Sequence, residues 1–337
     1  MEIVGGGRIY VHPAEEDAPH RPGPEVGWQE SFVLYWHDAE QAVGGCFRLG
    51  HEPNCDGGHT QFVIGITSPD GIYHRYGTLP LRPQDRLEGP AGRGFSNGDD
   101  SLQYLFDGKT IHWTLKDQDV EAHLDVELYV PAVDVHRREG AVDSKGIQGA
   151  HIDAACGVTG TMVVKGKTYK INALGIRDHG WGTRDVSSML AHRWTVATFG
   201  KEHSFVALTF LTRNGQSGQL GWVIRNNTVI MAEKIVVRAI IGEDGGTNFG
   251  GTTRMTLTTG EEYIVKFEPM YPAIANIIHT TLYYDSLCQA TWGDRVGYGC
   301  FETSNNIQGG TGSPPIYDGS IGKNGWFAPG EDSAPAS

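Results

Sequence analysis

The sequence contains no Cys-x-x-Cys pair, no His-Glu-x-x-His, no glycine-rich phosphate loop after a strand and no run of 18 apolar residues. The first two absences exclude the common zinc ribbons, dithiol redox centres and metalloprotease helices. The third removes nucleotide cradles, and the fourth removes a membrane-spanning helix. Basic residues are also scarce, with 27 Lys and Arg against 40 Asp and Glu and a net charge of -13. That balance argues against nucleic acid or an anionic membrane as partner. The opening residues, Met1-Glu2-Ile3-Val4-Gly5-Gly6-Gly7-Arg8, lack the basic region and apolar core of a signal peptide, so a cytoplasmic location is expected. Five cysteines are scattered, several in apolar runs where a buried free thiol is the expected state. One local group, His51, Cys55 and His59, has metal-type ligands but no recognised spacing. No metal and no cofactor is expected.

Long helix-forming runs are missing too, whereas glycine is abundant at 47 residues. Short β-branched and aromatic stretches alternate instead with turn residues. Strands are expected near 28–37, 43–49, 59–67, 71–79, 102–106, 109–115 and 121–130. A second series runs through 151–155, 157–165, 167–176, 193–199, 204–212, 219–224, 228–241, 254–259, 261–268, 280–284 and 289–303. Asp107-Gly108, Asn214-Gly215 and Asn226-Asn227 have hairpin-turn chemistry. The stretch 82–100, with Pro83 and Pro90, reads as a mobile loop over a barrel mouth. The stretch 134–149 reads as a boundary. The expected organisation is an N-terminal extension (1–27) on the surface or mobile, a first domain (28–148), a second (149–308) and a loose tail (309–337). The fold class is all-β, as two antiparallel barrels packed together.

Arg177-Asp178-His179-Gly180-Trp181-Gly182-Thr183-Arg184-Asp185 departs from this background. Nine residues carry five ionisable groups, following a strand-like run that ends at Ile176. Guanidinium and carboxylate groups in such density suit a packed ion-pair network. Arg177, Arg184 and Asp185, with Glu302 as a further partner, form one candidate clasp. Alternation along a continuing strand would send Arg177 and Asp178 to opposite faces.

The run 157–169, Gly-Val-Thr-Gly-Thr-Met-Val-Val-Lys-Gly-Lys-Thr-Tyr, leads into this motif and resembles the central signature of the double-lipocalin proteins. That group includes carotenoid 1,2-hydratases, AttH-type proteins, kievitone-hydratase-like and tocopherol-cyclase-like proteins and fungal Diels–Alderases. Residues 291–302, Thr-Trp-Gly-Asp-Arg-Val-Gly-Tyr-Gly-Cys-Phe-Glu, resemble the last strand pair of bacterial members. The resemblance implies two lipocalin-like barrels and a hydratase, dehydratase, isomerase or cyclase acting without cofactor on an apolar metabolite. A non-catalytic carrier of such a metabolite is the alternative. Asp178 matches the position of the acid that protonates an alkene, and His179 matches as well. Relatives often have Ser or Asn where this chain has Gly180.

The candidate catalytic residues are therefore Asp178 and His179, with Asp153, Trp181, His192 and Trp194 as candidate lining. An acid needs a raised pKa, yet neighbouring arginines would depress it. The sequence sets neither the substrate nor the oligomeric state.

Overall fold

A computed structural model describes residues 2–5, 10–130, 132–134, 149–243, 247–306 and 325–327. The chain is nearly all β and divides into two compact units, one formed mainly by residues 10–137 and 141–184 and the other mainly by 185–337. No helix among the described residues is long and apolar enough to cross a membrane.

The unit from residue 185 is a closed antiparallel barrel. Its strand order is Thr228–Ile241, Ser217–Arg225, His203–Thr212, Met189–Thr198, Arg295–Asn306, Thr281–Trp292, Glu262–Pro269 and Asn248–Leu257, which pairs back onto Thr228–Ile241. Rings fill its core: Phe267 meets Phe301 at 5.3 Å, and Tyr263 stacks on Trp292 at 4.7 Å. Residues 289–303, read as one strand, are two. Trp292 pairs with Arg295 across a turn at Gly293, so the chain doubles back there.

The other unit is a curled sheet rather than a second closed barrel. From Gly71–Pro80 the order runs through His59–Ser68, Val43–Glu52, Trp28–Asp38, Lys167–Thr183, Ala150–Val164, Val120–Leu128, Ile111–Asp117, Leu102–Phe106 and Gly92–Ser96 to Arg86–Gly89. Its ends curl towards each other through side chains. Phe32 stacks on Tyr104 at 3.7 Å, His51 on Phe95 at 3.8 Å, and Arg75 pairs with Asp117 at 2.7 Å.

Several expectations change here. The stretch 82–100 is a short 3-10 turn, Pro83–Asp85, followed by the hairpin Arg86–Gly89 and Gly92–Ser96. Asp85 accepts the Arg82 backbone N–H at 2.6 Å, which anchors the turn. The motif is not a loop after a strand, because the strand runs on to Thr183, paired on both sides. Gly182 sits there at φ +102, where a Cβ would meet the Gly149 Cα at 3.2 Å. Strand pairing thus keeps 150–183 with the first sheet, and the division between units falls after Arg184. The proposed boundary 134–149 lies mostly outside the described residues, as does most of the tail; Gly325–Phe327 form a short strand. Residues 10–20 are built into the curled unit. Tyr10–Val11 pair with Val133–Asp134, and Asp17 and Ala18 are buried.

The barrel core makes a direct test available. Phe301 is fully buried against Phe267. Phe301→Ala is expected to cost about 3–5 kcal/mol, the range for truncating a core aromatic. Urea unfolding followed by tryptophan fluorescence checks it. A loss under about 1 kcal/mol would mean the barrel core is not packed in this way.

Candidate functional site

The strand Lys167–Thr183 lies between Trp28–Asp38 and Ala150–Val164, so alternation splits its charges between two faces. Arg177, His179 and Trp181 take one face, and Asp178 takes the other.

On the first face Arg177 is buried and ion-paired with Asp17, from the 3-10 turn Ala14–Asp17. Burial lowers the pKa of Arg177 to about 9. The same Nη2 also reaches His179 Nδ1 at 3.3 Å. A guanidinium can only donate, so Nδ1 accepts and the imidazole proton sits on Nε2. That N–H donates to Glu30 Oε1 at 2.9 Å. His20 Nδ1 meets the same oxygen at 2.8 Å, and the His20 backbone N–H donates to Glu30 Oε2 at 2.9 Å. Burial raises the Glu30 pKa despite these contacts from His20. His179 is held neutral, first by burial and then by Arg177. Aromatic rings close the network, with Trp181 stacked on His20 at 4.0 Å and Phe32 on His179 at 4.1 Å.

On the second face the register places Asp153 opposite Asp178 and His151 opposite Gly180. His151 Nε2 donates to Asp178 Oδ2 at 2.6 Å, and its Nδ1 lies 3.8 Å from Asp153 Oδ2. Burial alone would lower the His151 pKa, but Asp178 and Asp153 override it and raise it to about 9. Burial likewise opposes ionisation of Asp178, yet His151 and then the arginines hold its pKa below the usual value. The pair is therefore imidazolium and carboxylate at neutral pH. Both side chains reach solvent, 14% and 17% exposed. Register adds Val33, Tyr35, Ala155 and Ile176 to the same face as an apolar surround.

The sequence candidates are thus redistributed. Asp178 is not an acid of raised pKa, because an adjacent imidazolium stabilises its charge. The clasp of Arg177, Arg184, Asp185 and Glu302 does not form. Arg177 pairs with Asp17, and Arg184 makes no ion pair among the described residues. Asp185 accepts the Ser187 backbone N–H at 3.0 Å, and Glu302 pairs with His192. His192 and Trp194 belong to the barrel unit, where His192 Nδ1 meets Ser304 Oγ at 2.7 Å. Asp153 joins Asp178, whereas Trp181 faces away from it. Sequence reasoning missed Asp17, His20 and Glu30 as a chemical set; alternation places His151 on one strand face with Asp153, but nothing local pairs it with Asp178. Glu30 left one signal: a lone carboxylate sharing a strand face with Phe32, Leu34 and Trp36.

Two of these groups bring a metal-type ligand set within 4.8 Å, His20 with Glu30 and His179, and His151 with Asp153 and Asp178. Neither suits a cation well. His179 has Arg177 beside it and its Nε2 proton committed to Glu30, and His151 carries a proton between two carboxylates.

The model of a domain of unknown function, DUF7064, matches residues 13–307. The chain belongs to the DUF7064 family. This DUF7064 protein has no match among curated proteins by sequence. Its fold is similar to a Nitrosomonas europaea protein provisionally named AttH, at TM-score 0.64 and 12% identity, covering 90% of this chain and 98% of that one. It is also similar to CghA, at TM-score 0.59 and 9% identity over 85% and 90% of the two chains. The structure of CghA with Sch210972 matches at TM-score 0.58 and 10% identity over 83% and 88%. The all-β fold expected for this DUF7064 protein is thus one it shares with AttH and CghA.

Two outcomes test the site. Asp17→Asn leaves Arg177 buried without its counter-ion and is expected to cost about 3–5 kcal/mol. Arg184→Ala, on a half-buried turn, should stay within about 0.5 kcal/mol. Denaturant melts of both variants check this, and equal losses would refute the assignment. Second, His151 should titrate near 9 by NMR of the imidazole protons, and Asp178→Asn should lower that midpoint by about one to three pH units. The folded His151 pKa lies above the unfolded one, so its contribution is complete below about 6.5 and is lost as pH rises through about 9. That of Asp178, whose folded pKa is lowered, is lost as pH falls below its ordinary value of 3.8.

Proposed function

We propose that this DUF7064 protein is a cofactor-independent lyase or isomerase, of hydratase, dehydratase or cyclase type, acting on an apolar small metabolite. The observation that supports it most is the partly exposed His151–Asp178 pair, 2.6 Å apart, set among Val33, Tyr35, Ala155 and Ile176. Its donor strength narrows the chemistry. An imidazolium of pKa about 9 is too weak to protonate an unactivated alkene. It is well matched to a carbonyl oxygen, or to an enolate forming beside one, where general acid–base catalysis works best near the operating pH. In this reading His151 donates a hydrogen bond or proton to a substrate carbonyl. Asp178 keeps His151 charged and oriented, and Asp153 reinforces the charge. Addition or loss of water next to the carbonyl, double-bond migration and carbonyl-activated cyclisation all use that step. His179, locked between Arg177 and Glu30, positions the strand that carries Asp178.

The fold shared with AttH and CghA is consistent with this reading, and the CghA structure with Sch210972 supplies a precedent for a small molecule on this fold. The carrier reading shares the apolar surround and omits the proton transfer. A panel of apolar enones and polyketide-like carbonyl compounds separates the two. Turnover by the wild type should fall at least about 100-fold in His151→Gln, with ligand binding retained, as expected when a general acid is removed. Its pH dependence should decline as pH rises through about 9. Binding without turnover across such a panel, unchanged in His151→Gln, would make the protein a carrier.

A further inference from the structure

The hairpin joining Val43–Glu52 to His59–Ser68 brings together three side chains that the proposed chemistry does not use. Glu52 and His59 are the last directly opposed pair before the turn, so they share a face. His59 Nε2 lies 3.3 Å from Glu52 Oε2. The loop between them is Pro53-Asn54-Cys55-Asp56-Gly57-Gly58. Asn54 ties it down by donating to the carbonyls of Gly23 and Glu25, both at 2.8 Å. Asp56, Gly57 and Gly58 all have positive φ, at 45, 84 and 88 degrees, and the Gly58 N–H donates to the Cys55 carbonyl at 2.7 Å. This reversal folds Cys55 back over the Glu52–His59 pair. The Cys55 sulfur, a His59 nitrogen and a Glu52 oxygen lie within 4.8 Å of one another. His51, grouped with Cys55 and His59 in the sequence, points elsewhere and meets the Ser96 carbonyl at 2.8 Å.

We infer that Glu52, Cys55 and His59 form a binding site for a thiophilic divalent cation, with Zn2+ the best match, at the tip of this hairpin. Thiolate, imidazole and carboxylate are the three zinc donor types, and the spacing is Glu-x-x-Cys-x-x-x-His. A tetrahedral ion with bonds of about 2.0–2.3 Å holds its donors roughly 3.5 Å apart, so the donors need only a small contraction. The two glycines permit it. Asp56 lies beside the thiol, its Oδ2 3.9 Å from Cys55 Sγ, and adds negative charge that favours a cation. The surroundings work against Cys55 as a free nucleophile, because slight burial, Asp56 and Glu52 all raise its pKa. A bound cation would reverse that by stabilising the thiolate. The ion would pin the hairpin tip. Glu52 and His59 lie on strands two and three removed from that of Asp178 in the sheet, so the inference stands apart from the proposed reaction.

Cobalt provides the test. The full chain, stripped with chelator and titrated with Co2+, is expected to show a thiolate-to-cobalt charge-transfer band saturating at one equivalent, bleached by Zn2+. Cys55→Ser should abolish the band, and His59→Gln should weaken binding at least about tenfold, the lower end of what even outer-shell partners contribute. The other two His–carboxylate groups hold no cysteine, so the band reports on this one. Zn2+ should also raise the melting temperature of the wild type and leave that of Cys55→Ser unchanged, as ligand binding to the folded state requires. Absence of the band at millimolar Co2+, or its persistence in Cys55→Ser, would overturn the inference.

Discussion

The curled unit depends on one constraint: a guanidinium sits inside it. Arg177 occupies a central strand and is almost completely buried, so its charge has to be answered within the unit. Alternation prevents the adjacent Asp178 from answering it, since that carboxylate emerges on the opposite face. Two counter-charges are therefore required, and they come from different places. Asp17 reaches Arg177 from the proline-rich N-terminal segment, and His151 reaches Asp178 from the neighbouring strand. Residues 10–20 are thus part of the fold. Their role is electrostatic as much as apolar, with Ala18 buried beside the charge and the Tyr104 hydroxyl donating to the Asp17 carbonyl at 2.5 Å.

The two faces have different chemistry because they have different access to water. Around Arg177, His179 and Glu30 the hydrogen bonds form a chain that fixes the His179 proton on Nε2, and Phe32 and Trp181 cover it. Such a network specifies one geometry for the strand. Around Asp178 the groups are fewer, charged and partly open. A buried, hydrogen-bonded network behind a strand and a small, accessible charge pair in front of it is the arrangement a preorganised site needs.

Local features of this fold were legible in the sequence. Period-two patterning and turn chemistry locate strands such as Leu102–Phe106 and Thr228–Ile241 at their observed bounds, and alternation correctly sends Arg177 and Asp178 apart. Long-range features were not. Nothing near Asp17 announces that it meets Arg177, because the pairing spans most of the unit and rests on a single turn among prolines. The hairpin Arg86–Gly89 and Gly92–Ser96 was hidden by its glycines and by Pro83, which resemble loop composition but here terminate and start strands. Sheet closure was equally invisible. One unit joins its last strand to its first, and the other stays open at its edges, a difference set by pairing partners rather than by any one strand's residues. The candidate site was partly legible: alternation alone puts His151 and Asp153 on one strand face, but the register that brings them to Asp178 is long-range, so the proton was assigned to the carboxyl.

That reassignment matters for the chemistry. A carboxyl desolvated by burial would be held protonated and would be a moderately strong acid. The imidazolium on His151 is a weaker one, and the two carboxylates that keep it charged weaken it further. Arg177 and Arg184 stabilise ionised Asp178, while Arg184 opposes the charge on His151, so charges on both faces bear on which group of the pair carries the proton. A site built this way gains a donor charged throughout the physiological range and gives up the acidity needed to attack an isolated double bond. Substrates that already carry a carbonyl require only the former. The buried guanidinium behind the strand and the class of reaction proposed in front of it are connected through one carboxylate, Asp178, whose ionised form Arg177 helps to stabilise and on which the charge of His151 depends.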